Sequence, residues 1–224
     1  MDLNEIDYLG IDRVLKRGSG DIIAKTDDAL LIRVRISGAH MLACEDKNIG
    51  MNLLSRYIGA DCGLLMVSDY SLGMIAYKKF GFAEKLECYQ VAYYGEKPEI
   101  KTGLTVREAG ENDLDVLIEN YDLISPDELE TAVSRKSILL GYNEDQLVGF
   151  IGEHLEGSMG MLYVFPQFRR RGFGEALQKH LIAGTIDKGF IPFGQVEKGN
   201  YASLALQKKL GMTVFENLIV WMWK

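Results

Sequence analysis

The sequence predicts an α/β fold, a mixed sheet with helices arranged in two lobes, and three observations lead there. An apolar run from Met159 to Phe165 ends at Pro166. It passes through Arg169-Arg170-Arg171-Gly172-Phe173-Gly174 into an amphipathic helix with Phe173, Leu177 and Leu181 on one face. Short apolar segments broken by Gly, Asn and Asp recur along the chain, as hairpin strands do. The string Tyr77-Lys78-Lys79-Phe80-Gly81-Phe82 returns as Gln207-Lys208-Lys209-Leu210-Gly211-Met212. Each copy closes a helical segment at a glycine and runs into a strand.

Composition bounds what such a fold can do. A chain of 224 residues allows one large or two small domains. Hydrophobic residues at 47% and charged residues at 25% describe an ordinary soluble globular protein. The net charge of −7 argues against nucleic acid as a partner, so the arginine cluster is a local device in an acidic protein. No apolar run approaches the roughly 18 residues of a membrane helix. The start, Met-Asp-Leu-Asn-Glu, lacks the pattern of a signal peptide, so a cytoplasmic protein with no membrane partner is expected. Cys44, Cys62 and Cys88 are scattered, without Cys-x-x-Cys, as reduced cytoplasmic thiols are. All three lie in the first half, which leaves the second half no cysteine nucleophile. With His40, His154 and His180 far apart, no metal site is expected.

Residues 1–99 form the first unit. Ala29 to Ile36 reads as a strand whose hairpin partner is Met41 to Cys44, joined through Ser37-Gly38-Ala39. Met51 to Ile58 is helical in pattern, Leu64 to Val67 is a short buried strand, Leu72 to Lys79 is a second helix, and Leu86 to Tyr94 alternates like a strand. Gly95 to Gly103 is polar and bounded by glycines, a linker.

Residues 100–224 form the second. Leu104 to Arg107 opens it as a strand, and Glu111-Asn112-Asp113 caps a helix carrying Leu114, Leu117 and Ile118. Ser125-Pro126-Asp127-Glu128 starts another, with Ser125 as N-cap, Pro126 at the first position and Glu128 completing a capping box. Ser137 to Tyr142 and Gln146 to His154 make a hairpin through Asn143-Glu144-Asp145. The strand Met159 to Phe165 follows, then Gly194 to Glu197 and a last strand, Asn217 to Lys224.

The basic glycine turn is an anion site by its chemistry. The first amides of a helix have no internal partner and sit at the positive end of its dipole, and glycine lets a phosphate come close. A basic surface turn is the plainer reading. No Gly-Lys-Ser/Thr is present, and a dinucleotide fingerprint needs three glycines after a first strand, whereas this turn sits late in the chain with two.

Arg169 to Gly174 resembles the Arg/Gln-x-x-Gly-x-Gly/Ala acyl-CoA loop of the GNAT superfamily of N-acyltransferases. Asn200-Tyr201-Ala202-Ser203, followed by Lys209-Leu210-Gly211-Met212, is similar to that superfamily's second signature. The resemblance covers roughly Leu104 to Lys224. It implies a GNAT-type fold for the second domain, and makes the first a degenerate, partial copy. Asn48-Ile49-Gly50-Met51 stands at the copy's loop position without arginines or a second glycine. The copy would extend the sheet, shape the acceptor pocket or form a homodimer surface.

By this resemblance, acetyl-CoA or another short acyl-CoA is the donor, and Arg169, Arg170, Arg171, Gly172, Phe173, Gly174 and Glu175 hold its pyrophosphate. The backbone of Leu162, Tyr163 and Val164 pairs with the pantetheine arm and presents amides to the thioester oxygen. Asn200 and Ser203 contact the pantetheine and phosphates, although Asn200 also reads as a plain N-cap. Tyr121 and Asp122 border the acceptor. An amine must lose a proton and the departing thiolate must gain one. Here the sequence departs from the family. Ser158 stands where a glutamate base is common, and Gln207 where a tyrosine acid is common. Glu153 and His154 are the nearest replacements. They point to opposite faces of one strand, so only one can face the cleft. The combination of Val196 to Asn200 with Ser203 is most similar to the glycine N-acyltransferase-like branch.

The expectation is an N-acetyltransferase acting on a primary amine of a small molecule or amino acid. A CoA-binding scaffold that has lost catalysis is the alternative from another class, and a binder of a different nucleotide diphosphate is a third.

Overall fold

The computed structural model describes residues 1–101 and 103–224, so Thr102 of the linker read at 95–103 lies outside the described residues. In chain order the elements are α1 (Leu9–Lys16), β1 (Gly20–Lys25), β2 (Ala29–Val34), β3 (His40–Cys44), α2 (Lys47–Tyr57), β4 (Leu64–Val67), α3 (Tyr70–Lys79), β5 (Glu84–Ala92) and β6 (Leu104–Glu108). There follow α4 (Leu114–Asn120), α5 (Pro126–Ser134), β7 (Ile138–Asn143), β8 (Gln146–Glu153), β9 (Met159–Val164), α6 (Phe173–Asp187), β10 (Phe193–Glu197), α7 (Tyr201–Lys209) and β11 (Thr213–Trp223). Short 3₁₀ turns precede α1 and α4 and follow β9. The α/β class is as expected. Helix α1 and strand β1 carry no motif that marked them in the sequence.

These residues form two compact units. Unit 1 comprises Met1–Ala92, Gln195–Lys208 and Thr213–Lys224, and unit 2 comprises Tyr93–Gly194 and Lys209–Met212. This differs from a chain-order division at residue 99. The physical reason is β11, whose Val220–Trp223 pairs with β4 and whose length pairs with β5, so the C-terminal strand belongs to the first unit.

In unit 1 the strands run β1-β2-β3-β4-β11-β5. The sheet is covered on both faces, which is why its strands are nearly continuous apolar runs. Alternation sorts them: Leu31, Leu42, Leu65 and Val67 pack with Leu54 of α2 and Leu72 of α3, while Leu30, Ile32, Met41 and Ala43 pack with Ile11 and Val14 of α1. In unit 2 the strands run β10-β9-β8-β7-β6, with β10 contributing Phe193 and Gly194. Leu117 of α4 and Leu129, Ala132 and Val133 of α5 close one face over Ile138, Leu140 and Phe150. Helix α6 packs on these strands as well, with Leu177 against the α-carbon of Gly141.

The units share a pattern. In each, two antiparallel pairings are followed by a parallel one: β1-β2-β3-β4 in unit 1 and β7-β8-β9-β10 in unit 2. In each, one helix (α2 or α6) joins the parallel strands, as a parallel connection requires. The repeated string ends α3 and α7, and the glycines Gly81 and Gly211 that follow have positive φ.

Candidate active site

Strand β9 is built around a bulge. It pairs with β8 through Gly149↔Val164, Phe150↔Tyr163, Gly152↔Gly160 and Glu153↔Met159, so Ile151 alone faces Met161 and Leu162. Met161 takes φ 52, a left-handed conformation that costs a non-glycine residue roughly 1–2 kcal/mol. Its buried side chain, 1% exposed, and a hydrogen bond from its backbone to the Tyr121 hydroxyl hold it there. On its other edge β9 pairs with β10 at Met159↔Gly194, and Gly160 to Val164 run on past that pair.

The loop after β9 is held by its own arginines. Arg169 Nε donates to the Val164 carbonyl at 2.9 Å, and its guanidinium lies 5.6 Å from the Tyr163 ring. The Arg171 guanidinium lies over Phe168 and Phe173, at 5.7 and 5.2 Å. Arg170, at φ 62, is exposed and pairs with none of the described residues. The chain then turns at Gly172, φ 85, which is the N-cap of α6 and offers no side chain to its first amides. Phe173 packs inward, while a Cβ on Gly174 would meet only Val164 Cγ2 at 3.6 Å and Leu162 Cδ2 at 3.8 Å. Glu175 ion-pairs with Lys209 at 2.6 Å and Lys179 at 3.0 Å, and hydrogen bonds from these lysines hold its pKa below the usual carboxylate range. The helix start is therefore uncapped, positive by its dipole, and free of an unbalanced carboxylate.

The proton-transfer candidates separate by face. Glu153 is 4% exposed and turned toward α6, where Thr185 Oγ1 donates to it at 3.4 Å. His154, next in sequence, turns to the opposite face. Its Nδ1 lies 3.7 Å from Glu128 Oε1 on α5, and its side chain is 26% exposed. Burial pulls the imidazole's pKa down, but the pairing with Glu128 and the charge of Glu156 outweigh it, and the pKa is raised. Ser158 is buried. Its carbonyl accepts the His154 N–H at 2.9 Å, and its hydroxyl donates to the Glu156 carboxylate. A Cβ on Gly160 would overlap His154 Nε2, so this glycine makes the room in which the ring tip sits.

Tyr121 is half-buried with its ring edge-on to Phe150 at 6.2 Å, and Phe150 stacks on Tyr163 at 5.4 Å. Burial pushes the Tyr121 phenol up to about 12. Asp122 is exposed on the turn that follows. Asn200 and Ser203 belong to unit 1, where the Asn200 side chain caps α7 by accepting the Ser203 N–H at 3.0 Å; Gln207 is buried in the same unit. Glu128 went unread as a site residue because its place beside Ser125 and Pro126 marked it as a cap. Ser125 does accept the Glu128 N–H at 3.2 Å, but the Glu128 carboxylate faces His154. Gly160, a lone glycine within an apolar strand, was the signal that could have found the pair.

The family model described as FR47-like protein matches residues 139–221, which span β8, β9, the arginine loop, α6 and α7. A GCN5-related N-acetyltransferase-like protein from Streptococcus suis superposes over 96% of this chain and 92% of its own, with TM-score 0.60 and 16% identity. A GCN5-related N-acetyltransferase from Kribbella flavida covers 98% and 94%, with TM-score 0.59 and 12% identity. The fold is that of the GCN5-related N-acetyltransferases. A Drosophila protein shares this fold from end to end, covering 100% of this chain and 97% of its own at TM-score 0.64 and 14% identity. No curated protein matches the chain in sequence. At these identities the likeness to the GNAT structures is one of fold. Among the described residues no helix is long and apolar enough to cross a membrane, and no three metal-ligating side chains converge.

Proposed function

We propose that the protein is an acyl-CoA-dependent N-acyltransferase, with acetyl-CoA as donor and a primary amine of a small molecule or amino acid as acceptor. The observation that carries this is the start of α6, where Gly172 leaves the first amides without a side-chain cap directly after β9. Those amides, with Arg170 beside them, fit a pyrophosphate: a Cβ at Gly172 would meet nothing within 4 Å, so the approach is open. Arg169 and Arg171 shape the loop through their own contacts, and the lysines on Glu175 keep its charge from opposing an anion. The backbone of β9 past Met159 is the edge along which the pantetheine arm would lie. Bound acyl-CoA supplies the activated acyl group; the chain's part is to position it, orient an amine and move the amine's proton.

Glu153, turned toward α6, is poorly sited for that proton, and Ser158 is already engaged with Glu156, which leaves His154 as the group of choice. Unit 1 is best read as a partial copy of the same fold, on the shared strand pattern and repeated helix ends, in keeping with the glycine N-acyltransferase-like branch. Three buried cysteines, none in a disulfide among the described residues, favour a cytoplasmic setting.

Calorimetric titration with acetyl-CoA, against NAD as control, followed by thiol release with a panel of small amines, tests the reading. Saturable binding with amine-dependent thiol release is the expected result, and absence of binding would overturn it. Binding without thiol release would favour the second reading, a CoA-binding scaffold, for which Ser158 and Gln207 at the two departures from the family pattern are the reason.

A further inference from the structure

We propose that His154 is the proton acceptor for the amine and that Glu128 is the residue that positions it, on the acyl-transfer reading above. Three elements converge on this imidazole. The end of β8 supplies His154, α5 supplies Glu128 at 3.7 Å from Nδ1, and β9 supplies Gly160, whose missing Cβ leaves space for Nε2. With Nδ1 turned to a carboxylate, Nδ1 carries the proton of the neutral ring and the lone pair is on Nε2. Nε2 has no hydrogen-bond partner among the described residues, and the side chain is 26% exposed, so the ring is not sealed from solvent. Gly160 directly follows Met159, the residue paired with Gly194, so Nε2 rests on β9 at the point where the strand leaves its parallel partner.

The other groups near the ring are accounted for. Glu156 lies in the turn that follows it and bonds Ser158, and Arg135, at the end of α5, donates to the Leu155 carbonyl at 3.3 Å. The carboxylates outweigh burial, which keeps the imidazole basic enough to take a proton. Glu153 cannot share the role, since it lies on the other face of β8.

The step balances. The amine nitrogen forms a bond to the acyl carbon of the thioester, the carbon–sulfur bond breaks, and the nitrogen's proton passes to Nε2. The proton then goes to the departing thiolate, giving amide and CoA thiol with the imidazole neutral again.

The test uses the full chain with His154→Gln and Glu128→Gln and two readouts. The first is an NMR titration of the histidine rings without ligand, with His154 assigned by its loss in His154→Gln. His154 is expected to titrate above an ordinary histidine, and lower in Glu128→Gln than in the wild type; identical titrations would overturn the positioning role. The second is the pH dependence of thiol release from acetyl-CoA across the amine panel. The acid limb should track the His154 titration and move to lower pH in Glu128→Gln. His154→Gln should lose roughly 100-fold in kcat with its acetyl-CoA Kd unchanged. Wild-type kcat in a folded His154→Gln would overturn the assignment and leave acyl transfer standing. No thiol release by the wild type with any amine would overturn the acyl-transfer reading, and the base with it.

Discussion

Replacing Gly174 with valine separates binding from folding at the start of α6. A Cβ at this position makes ordinary contacts, at 3.6 Å to Val164 Cγ2 and 3.8 Å to Leu162 Cδ2, and the backbone there does not need positive φ. In a helix, glycine is less favourable than valine by a few tenths of a kcal/mol. Fold stability should therefore change by less than about 1 kcal/mol, or roughly 2–4 °C in Tm for a chain of this size. In a helix the Cα–Cβ bond tilts toward the N-terminus, so a valine at this second helical position places its methyls on the side of the first amides. There they would keep an anion from the first amides. A hydrogen bond to a charged group contributes about 1.5–3 kcal/mol, so losing two costs roughly 3–6 kcal/mol. That is about 10² to 10⁴-fold in the Kd for acetyl-CoA. Calorimetry gives the Kd and a thermal melt checks the fold. Gly174→Ala, with one methyl already in contact distance, should stay within about tenfold of the wild type. An unchanged Kd in a Gly174→Val variant that melts like the wild type would falsify the assignment of the pyrophosphate to this helix.

Other outcomes follow from single positions. Gly149→Ala would drive its new methyl into the Tyr163 carbonyl oxygen and the Val164 α-carbon, both backbone, so a loss of about 1–3 kcal/mol in denaturant unfolding is expected; a neutral result would mean that β9 shifts freely. Burial raises the Asp7 carboxyl to about 6, so the neutral form is favoured in the folded state. Its contribution to stability is present below the unfolded pKa near 4 and lost as pH rises through 6. Asp7→Asn should therefore stabilise the protein at pH 7, by on the order of 1 kcal/mol after solvent screening, and flatten Tm between pH 4 and 7; a parallel downward shift at every pH would refute this. Cys44, Cys62 and Cys88 are all buried, and burial pushes the Cys44 thiol up to about 12, so a thiol reagent should label them only as fast as the chain opens. Rapid labelling of any one in the native state would contradict the packing of unit 1.

What could be read from the sequence was local. A glycine at a helix start after a basic run is one stretch of chain, and the hairpin of β7 and β8 closes through the two residues Glu144 and Asp145, within the turn read from the sequence. The helix ends at Gly81 and Gly211 were legible because few residues other than glycine accept that backbone conformation. What could not be read depends on packing. Glu128 and His154 stand 26 positions apart and meet because α5 lies over β8. The bulge at Met161 has no glycine to announce it, since core packing and Tyr121 hold a methionine where glycine would be expected. The alternation of β11 marked it as a strand, yet nothing in its residues says that it inserts between β4 and β5.

The clearest physical difference between the two units lies at one equivalent point. Helices α2 and α6 each follow a strand and lead to a parallel neighbour of that strand. At α2 the N-cap is Asp46, whose carboxylate accepts the Asn48 and Ile49 amides at 2.7 and 3.0 Å. At α6 the N-cap is Gly172, which has no side chain to accept from the first amides. An N-cap aspartate stabilises a helix by about 1 kcal/mol, and it does so by filling the position an external anion would take. A phosphate arriving at α2 would have to displace that carboxylate and then bear its repulsion. The α6 start forgoes the cap and leaves its amides open. A helix that gives up its own stabilisation at a solvent-facing end, after a loop braced by Arg169 and Arg171, is what the proposed pyrophosphate site requires. Unit 1 keeps the strand order and the helix, and it satisfies the same amides internally. It is therefore stable without a ligand at that position.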